Sequence, residues 1–234
     1  MSDKLSPIPF EHLVKWILNE ERHGKIFGYY KNLFFEPSLQ SRFELSRFGK
    51  RISTPLGIAA GPHTQMSQNI ILAWLFGARY IELKTVQVLD EIKVIKPCID
   101  IYDEGYNCEW SQELKIKQSF DEYLNAWIVI HILKDKFGWN EFDNLVFNMS
   151  IGYDLKGIKS PIMQWFLDKM KNAEEEIQIK IESISKFYPH INDVSIPSMI
   201  SNNVTLSTMH GCPPNEIERI GRYLIQEKKT SYFN

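Results

Sequence analysis

The sequence predicts an α/β protein with a parallel sheet or barrel. Short apolar runs of strand length alternate along the chain with longer stretches whose apolar residues recur at helical spacing. Small or polar residues follow several of the short runs, as they do at the carboxyl ends of parallel strands, where ligands bind. Helices that alternate with strands are typical of a parallel sheet covered by helices.

The composition excludes several classes of protein. The chain has 234 residues, of which 44% are hydrophobic, so it can bury a sizeable core. A net charge of −2 gives no electrostatic case for nucleic acid or an anionic membrane as a partner. No apolar run approaches the roughly 20 residues of a membrane span. The N-terminus has no signal-peptide core, and three cysteines are too few for a disulfide framework, so we expect a cytoplasmic protein.

The first 52 residues predict an N-terminal extension packed on a main body at 53–234. Residues 10–22 have an apolar stripe at helical spacing and predict an amphipathic helix. An aromatic stretch without a clear period follows, and residues 43–52 predict a hairpin around Phe48-Gly49-Lys50.

The main body opens with the nearly uncharged run at 55–62, which is typical of a strand buried on both faces. The run ends in Ala59, Ala60 and Gly61, whose lack of bulk has two interpretations. Either a ligand lies directly on this backbone, or a strand and a helix pack tightly there. A helix is predicted at 66–76.

Residues 79–85 predict the second strand, with Lys84 and Thr85 at its carboxyl end. Lys84 is either solvated or directed at an anion. Residues 88–117 are acidic and aperiodic and predict a long insert, which either covers a cleft as a lid or braces a neighbouring element. The spacing of Cys98 and Cys108 in this insert does not fit a zinc site, so we predict no metal.

The next elements are a strong helix, a strand and a long helix. The helix is predicted at 120–137, where His131 is a histidine at the edge of the core and not a ligand. The third strand is predicted at 144–150 and is followed by a polar turn at 151–154. Pro161 suits the first turn of a helix that is predicted to run to about residue 187.

The last predicted unit is a strand at 204–207, a polar elbow at 208–212 and a helix at 215–227. The elbow brings a thiol, an imidazole and two hydroxyls to the carboxyl end of a strand. These groups either serve a ligand or only cap and turn the chain.

Four motifs together resemble one family. They are P-L-G-I-A-A-G-P-H-T-Q (55–65), Y-I-E-L-K-T-V-Q (80–87), F-N-M-S-I-G-Y (147–153) and T-L-S-T-M-H-G-C-P-P-N-E-I-E (205–218). The sequence resembles the N-terminal part of the family named "putative selenate reductase subunit", which comprises large iron–sulfur flavoproteins. That part is in turn similar to the FMN-binding (β/α) barrel of dihydroorotate and dihydropyrimidine dehydrogenases.

The similarity to these dehydrogenases implies a set of cofactor-binding positions. They are Ala59, Ala60, Gly61, Lys84, Thr85, Asp154 and Thr205. A cation at Lys84 would favour the negative charge of a reduced flavin. Asp154 falls near a flavin-contacting asparagine of the dehydrogenases, and its carboxylate can accept the same hydrogen bonds but cannot donate them.

The resemblance also places the proton-transfer group in the elbow. Thr208 stands where the dehydrogenases have a catalytic Cys or Ser, but an unassisted threonine is a poor acid–base group near neutral pH. Cys212, at the start of a predicted helix whose N-terminus would lower a thiol pKa, is the alternative to Thr208, and His210 can assist either residue.

The length predicts a partial barrel. A complete (β/α)8 barrel has about 250 residues, so this chain has room for about four βα units. We therefore expect a fragment of an FMN-dependent, iron–sulfur-linked oxidoreductase that acts on a small-molecule substrate. The iron–sulfur and FAD or NAD(P) regions of the family lie outside it, and the remaining barrel half or another redox subunit is the expected partner. The alternative is a non-catalytic remnant or interaction module.

Overall fold

We describe the computed structural model over residues 5–37, 43–88, 99–100, 106–107, 113–140, 144–152, 154–207, 213–230 and 232–233. Seven α-helices lie in these ranges: α1 (Phe10–Glu21), α2 (Ser67–Leu75), α3 (Ile116–Phe137), α4 (Leu155–Ile158), α5 (Pro161–Lys171), α6 (Glu174–Ser185) and α7 (Pro214–Gln226). The strands of the same ranges are β1 (Lys25–Ile26), β2 (Tyr29–Tyr30), β3 (Leu45–Arg47), β4 (Lys50–Ile52), β5 (Gly57–Ile58), β6 (Tyr80–Glu82), β7 (Val86–Gln87), β8 (Ile99–Asp100), β9 (Tyr106–Asn107), β10 (Val146–Gly152), β11 (Asn203–Leu206) and β12 (Tyr232–Phe233).

The main sheet has the strand order β12-β11-β10-β6-β5, and β7 pairs with β10 beyond the end of β6. Every pairing in this sheet is parallel, which confirms the predicted α/β class. The described strands form an open sheet with β5 and β12 at its edges. Three antiparallel hairpins accompany it: β1-β2, β3-β4 at the predicted position in 43–52, and β8-β9 within the insert.

Strand β10 is the centre of the sheet, and all seven of its residues are buried. Its side chains alternate between two faces. Phe147, Met149 and Ile151 belong to the hydrophobic core, and the Phe147 ring packs edge-on against Trp127 of α3 at 5.2 Å between centroids. The opposite face carries Asn148 and Ser150, so one face of the central strand is apolar and the other is polar.

Helix α3 is the main apolar support of the sheet. Sixteen of its 22 residues are buried, because α2 and α5 pack against it in addition to the sheet. His131 is buried in this helix, which confirms that it belongs to the edge of the core. A helix that is hydrophobic on nearly every side is typical of a buried element.

Helix α1, in the predicted N-terminal extension, lies against the helical layer. Helix α1 buries Leu13 and Ile17 and contacts α6. Glu21 at its end forms ion pairs with Lys31 and with Lys136 of α3, each at 3.1 Å. These partners lower the pKa of the Glu21 carboxyl below its ordinary value, although burial acts in the opposite direction.

Three predicted elements were wrong in detail. The third strand continues through Gly152 because its last residues pair with β7. The long helix at 161–187 is two helices: Asn172 adopts an extended conformation, and its Oδ1 accepts a hydrogen bond from the Glu174 amide at 3.2 Å, which starts α6. The run at 55–62 contains only the short strand β5, which is partly exposed because it lies at the edge of the described sheet.

We expect Phe147→Ala to lower the free energy of unfolding by about 3–5 kcal/mol, because it leaves a cavity beneath Trp127. Urea denaturation measures this loss. Ile179→Ala is the control: Ile179 is 65% exposed, and its truncation should change the free energy by less than about 0.5 kcal/mol. Equal losses in the two variants would contradict the central position of β10.

Candidate functional site

The strands β5, β6, β10 and β11 are parallel neighbours, so the described loop residues that follow them lie at the same edge of the sheet. This carboxyl edge is where ligands bind in α/β proteins. All seven predicted cofactor-binding residues lie on these loops or in the adjoining strands.

The loop after β5 presents an accessible backbone. Ala59 is exposed, Ala60 is half-buried and Gly61 is buried. The Gly61 amide donates to Thr64 Oγ1, and the Thr64 hydroxyl donates to the Gly61 carbonyl oxygen, both at 3.1 Å. These bonds hold the loop in one shape, and the exposure of Ala59 leaves room for a ligand. A ligand at this backbone stays a prediction.

A buried carboxylate holds the helix that follows this loop. Glu122 of α3 accepts a hydrogen bond from the Ser67 amide, the first of α2, at 2.7 Å. Asn125 donates to the other Glu122 oxygen at 3.4 Å. A carboxylate at a helix N-terminus satisfies amides that have no partner within the helix. Burial raises the pKa of Glu122 above its ordinary value, although these hydrogen bonds oppose the shift.

Lys84 and Thr85 lie between β6 and β7. Lys84 is only 6% exposed, so the solvated interpretation of this lysine is wrong. Its carbonyl oxygen accepts a hydrogen bond from the buried Tyr123 hydroxyl of α3 at 2.8 Å. The Thr85 hydroxyl lies 2.8 Å from the Ser150 hydroxyl of β10. The strand end is therefore fixed to both the helical layer and the central strand.

Gly152 allows three strand ends to converge. A Cβ atom at this position would lie 3.0 Å from the Ser207 carbonyl oxygen and 3.3 Å from the Thr85 side chain. The Ser207 amide donates to the Ile151 carbonyl oxygen at 2.8 Å. Gly152 thus lets the strand ends that carry Thr85 and Ser207 approach each other more closely than a larger residue at this position would.

A polar network crosses the sheet beneath this place. Asn148 of β10 is fully buried, and its Nδ2 donates to both carboxylate oxygens of Glu82 at 2.9 Å and to Thr205 Oγ1 at 2.6 Å. Tyr80 donates its hydroxyl to Glu82 at 2.9 Å, and burial together with Glu82 raises the Tyr80 pKa. Asn148 Oδ1 accepts no hydrogen bond from any described residue. The predicted residue Thr205 belongs to this network.

Asp154 has a local structural role. Its Oδ1 accepts a hydrogen bond from the Gly157 amide at 2.7 Å and caps α4. The next amide, of Leu155, donates to Glu216 of α7 at 2.8 Å. Asp154 therefore caps α4, while the Leu155 amide joins this loop to α7, and a cofactor contact from Asp154 stays a prediction.

The predicted proton-transfer residues Thr208, His210 and Cys212 lie outside the described residues, as do Cys98 and Cys108. Their roles stay predictions. Within the described ranges no group of three or more His, Cys, Asp and Glu side chains has metal-binding geometry. In the same ranges no helix is both long and apolar enough to cross a membrane.

Sequence reasoning missed Glu82, Asn148 and Glu122. An Asn and a Ser at alternate positions of an otherwise apolar run could have indicated a polar inner face at β10. Glu122 gives no comparable signal, because its partner Ser67 is 55 positions away along the chain.

Comparisons with known proteins agree with the parallel α/β fold. Residues 27–233 match the profile of the family described as "Oxidoreductase YgfK, N-terminal TIM-barrel domain". The chain is 42% identical over 259 aligned residues to "Putative oxidoreductase YgfK" of Escherichia coli strain K12, and equally to the protein of that name from Escherichia coli O157:H7. Each alignment covers 100% of this chain and 24% of the relative, so the chain spans about a quarter of their length. The barrel description fits the open parallel sheet as a partial barrel.

We expect Asn148→Ala to lower the free energy of unfolding by about 1–3 kcal/mol, because the half-buried partners Glu82 and Thr205 lose their fully buried donor. Asn148→Leu keeps most of the side-chain volume but lacks the amide group, and it should be no more stable than Asn148→Ala. Urea denaturation of both variants measures the effect. Full stability of Asn148→Leu would contradict the importance of the amide.

We expect the stability of the wild type relative to Glu122→Gln to fall as the pH rises above 4.5, the ordinary pKa of this group. The folded state binds the proton of Glu122 more tightly than the unfolded state, so deprotonation disfavours folding between the unfolded and the folded pKa. Denaturation of both proteins at a series of pH values measures the difference. A difference that is flat or grows with pH would show that the Glu122 pKa is not raised.

Proposed function

Because the chain belongs to the oxidoreductase YgfK family as its N-terminal TIM-barrel domain, we propose that it supplies one part of an FMN site in a larger, iron–sulfur-linked oxidoreductase. The observation that carries the proposal is the convergence of the loop at 59–61, the pair at 84–85 and the close approach at Gly152 on one edge of the sheet.

The residues at this edge offer the kinds of contact that a flavin needs. The accessible backbone at Ala59 and Ala60 suits a flat ring. The hydroxyls of Thr85 and Thr205 can exchange hydrogen bonds with a polar chain or a phosphate. Asn148 Oδ1, fully buried and without a described donor, is an acceptor beneath the same edge.

A bound FMN would supply electron and hydride transfer. Lys84 would place a positive charge beside it, in a position fixed by the Tyr123 hydrogen bond to the Lys84 carbonyl oxygen. Ala59 and Ala60 would let the ligand approach the backbone closely, and Gly61, which leaves room for the His63 ring, would shape this loop. Asp154 would accept a hydrogen bond from the ligand. In the elbow, Cys212 would move a proton at the substrate with the help of His210, and Thr208 would take this role if Cys212 does not.

The partners follow from the length of the relatives. The strands at the edges of the described sheet, β5 and β12, would pair with the remaining barrel units or with another redox subunit, because an unpaired edge favours strand addition. The iron–sulfur cluster and the FAD or NAD(P) site would lie in those other regions. The reaction would act on a small molecule in the cytoplasm, where three cysteines stay reduced.

A second function, that of a non-catalytic interaction module, is favoured by the open edges of the described sheet. The deciding experiment is the visible absorption spectrum of the purified chain after FMN is added and then removed by desalting. Retained flavin bands would support the FMN proposal. A chain that is folded by circular dichroism and retains no flavin would favour the module.

We expect Lys84→Ala to weaken FMN binding about tenfold, the equivalent of 1.4 kcal/mol. Quenching of FMN fluorescence measures the affinity, in the chain or in the chain completed by the rest of the barrel. Lys186→Ala, which removes an exposed lysine of the α6 terminus, is the matched control. Equal affinities of the two variants would remove Lys84 from the site.

A further inference from the structure

A second cleft lies at the amino end of the sheet, opposite the candidate site. It has a volume of about 330 Å³ and lies between the β3-β4 hairpin, the second half of α3 and the segments that precede β10 and β11. The side chains that matter here are Lys50, Trp127, His131, Lys134, Asn144 and Ser195. None of these cleft residues belongs to the candidate site at the carboxyl edge of the sheet.

Lys50 and Lys134 give the cleft a positive electrostatic potential. Lys50 is half-buried, and burial lowers the pKa of its ammonium group. Its described contact is the Leu145 carbonyl oxygen at 3.5 Å, the outer limit of a hydrogen bond. Both Lys50 and the buried Lys134 act on the imidazole of His131 and lower its pKa. An anion in the cleft would offset the cost of holding the Lys50 charge out of water.

His131 offers an acceptor to the same space. Its Nδ1 lies 2.8 Å from the Trp127 carbonyl oxygen, so Nδ1 carries the proton. Burial and the two lysines lower the His131 pKa to about 3, so the ring is neutral near pH 7 and Nε2 holds a lone pair. The ring packs against Trp127 at 4.4 Å between centroids, which fixes its orientation. Within the described part of the chain, Nε2 makes no hydrogen bond.

We propose that this cleft binds a small organic anion that carries a hydroxyl group. The anionic group pairs with Lys50, and the hydroxyl donates to Nε2 of His131. Asn144 and Ser195, both exposed at the rim, supply further hydrogen bonds. A carboxylate and a phosphate both satisfy Lys50, whereas a hydroxyl is needed for the acceptor on His131.

Isothermal titration calorimetry tests the proposal by measuring the affinity of the 234-residue chain for malate, succinate and glycerol 3-phosphate at constant ionic strength. Malate and succinate differ by one hydroxyl. We expect malate to bind about fivefold more tightly, which is the effect of one hydrogen bond. Glycerol 3-phosphate distinguishes a phosphate ligand from a carboxylate. Equal affinities for malate and succinate would overturn the role of His131, and the absence of saturable binding by malate and glycerol 3-phosphate would overturn the site.

Variants locate the binding. Lys50→Ala should weaken it about tenfold or more, and Lys186→Ala, outside the lining of the cleft, should leave it unchanged. Asn144→Ala, at an exposed position, should weaken it to a lesser degree and provides a test if Lys50→Ala does not fold. Unchanged affinity in Lys50→Ala, with the native circular dichroism spectrum, would contradict the proposal.

Discussion

The structure depends on one constraint: the central strand β10 pairs with parallel neighbours on both sides while both of its faces are buried. Its helix-facing side chains must be apolar because they contact α3 and the core. Its other face is closed off from water and still polar, so each polar group there must find a partner. The amino group of Asn148 meets this demand by donating to a strand on each side, at Glu82 and Thr205, whereas its Oδ1 has no donor among the described residues.

Much of the fold could be predicted because local patterns of apolar and polar residues determine it. The alternation of short apolar runs with amphipathic stretches predicted the parallel sheet, and Pro161 marked the first turn of α5. The break at Asn172 escaped prediction because the helical pattern continues on both sides of it. The break is fixed by tertiary contacts, among them the Ala173 amide that donates to the Ser198 carbonyl oxygen at 2.8 Å.

The candidate site was predictable in part for a related reason. Small residues at 59–61 and a lysine at the end of a strand are visible in the sequence, and the parallel topology brings them to one edge. The side chains that fix these residues in place give no signal in the sequence. Tyr123, which bonds to the Lys84 carbonyl oxygen, and Glu122, which bonds to α2, resemble ordinary residues of an amphipathic helix. Their partners are known only when the fold is known.

Helix α3 also connects the two ends of the molecule. Tyr123 contacts the carboxyl edge of the sheet, and His131, two turns later, lines the cleft at the amino edge. Both residues are held by a helix whose surface is almost wholly packed. One largely buried helix therefore joins the two edges of the sheet.

The order of strand pairing has a consequence for synthesis on the ribosome. β5 and β6 are made early, but β6 pairs on its other side with β10. At about 5–20 residues per second, the roughly 60 residues between them take several seconds to translate. During that interval the edge of β6 that will pair with β10 has no strand partner. The nascent chain therefore presents an unpaired strand edge until β10 has been made and the centre of the sheet can form.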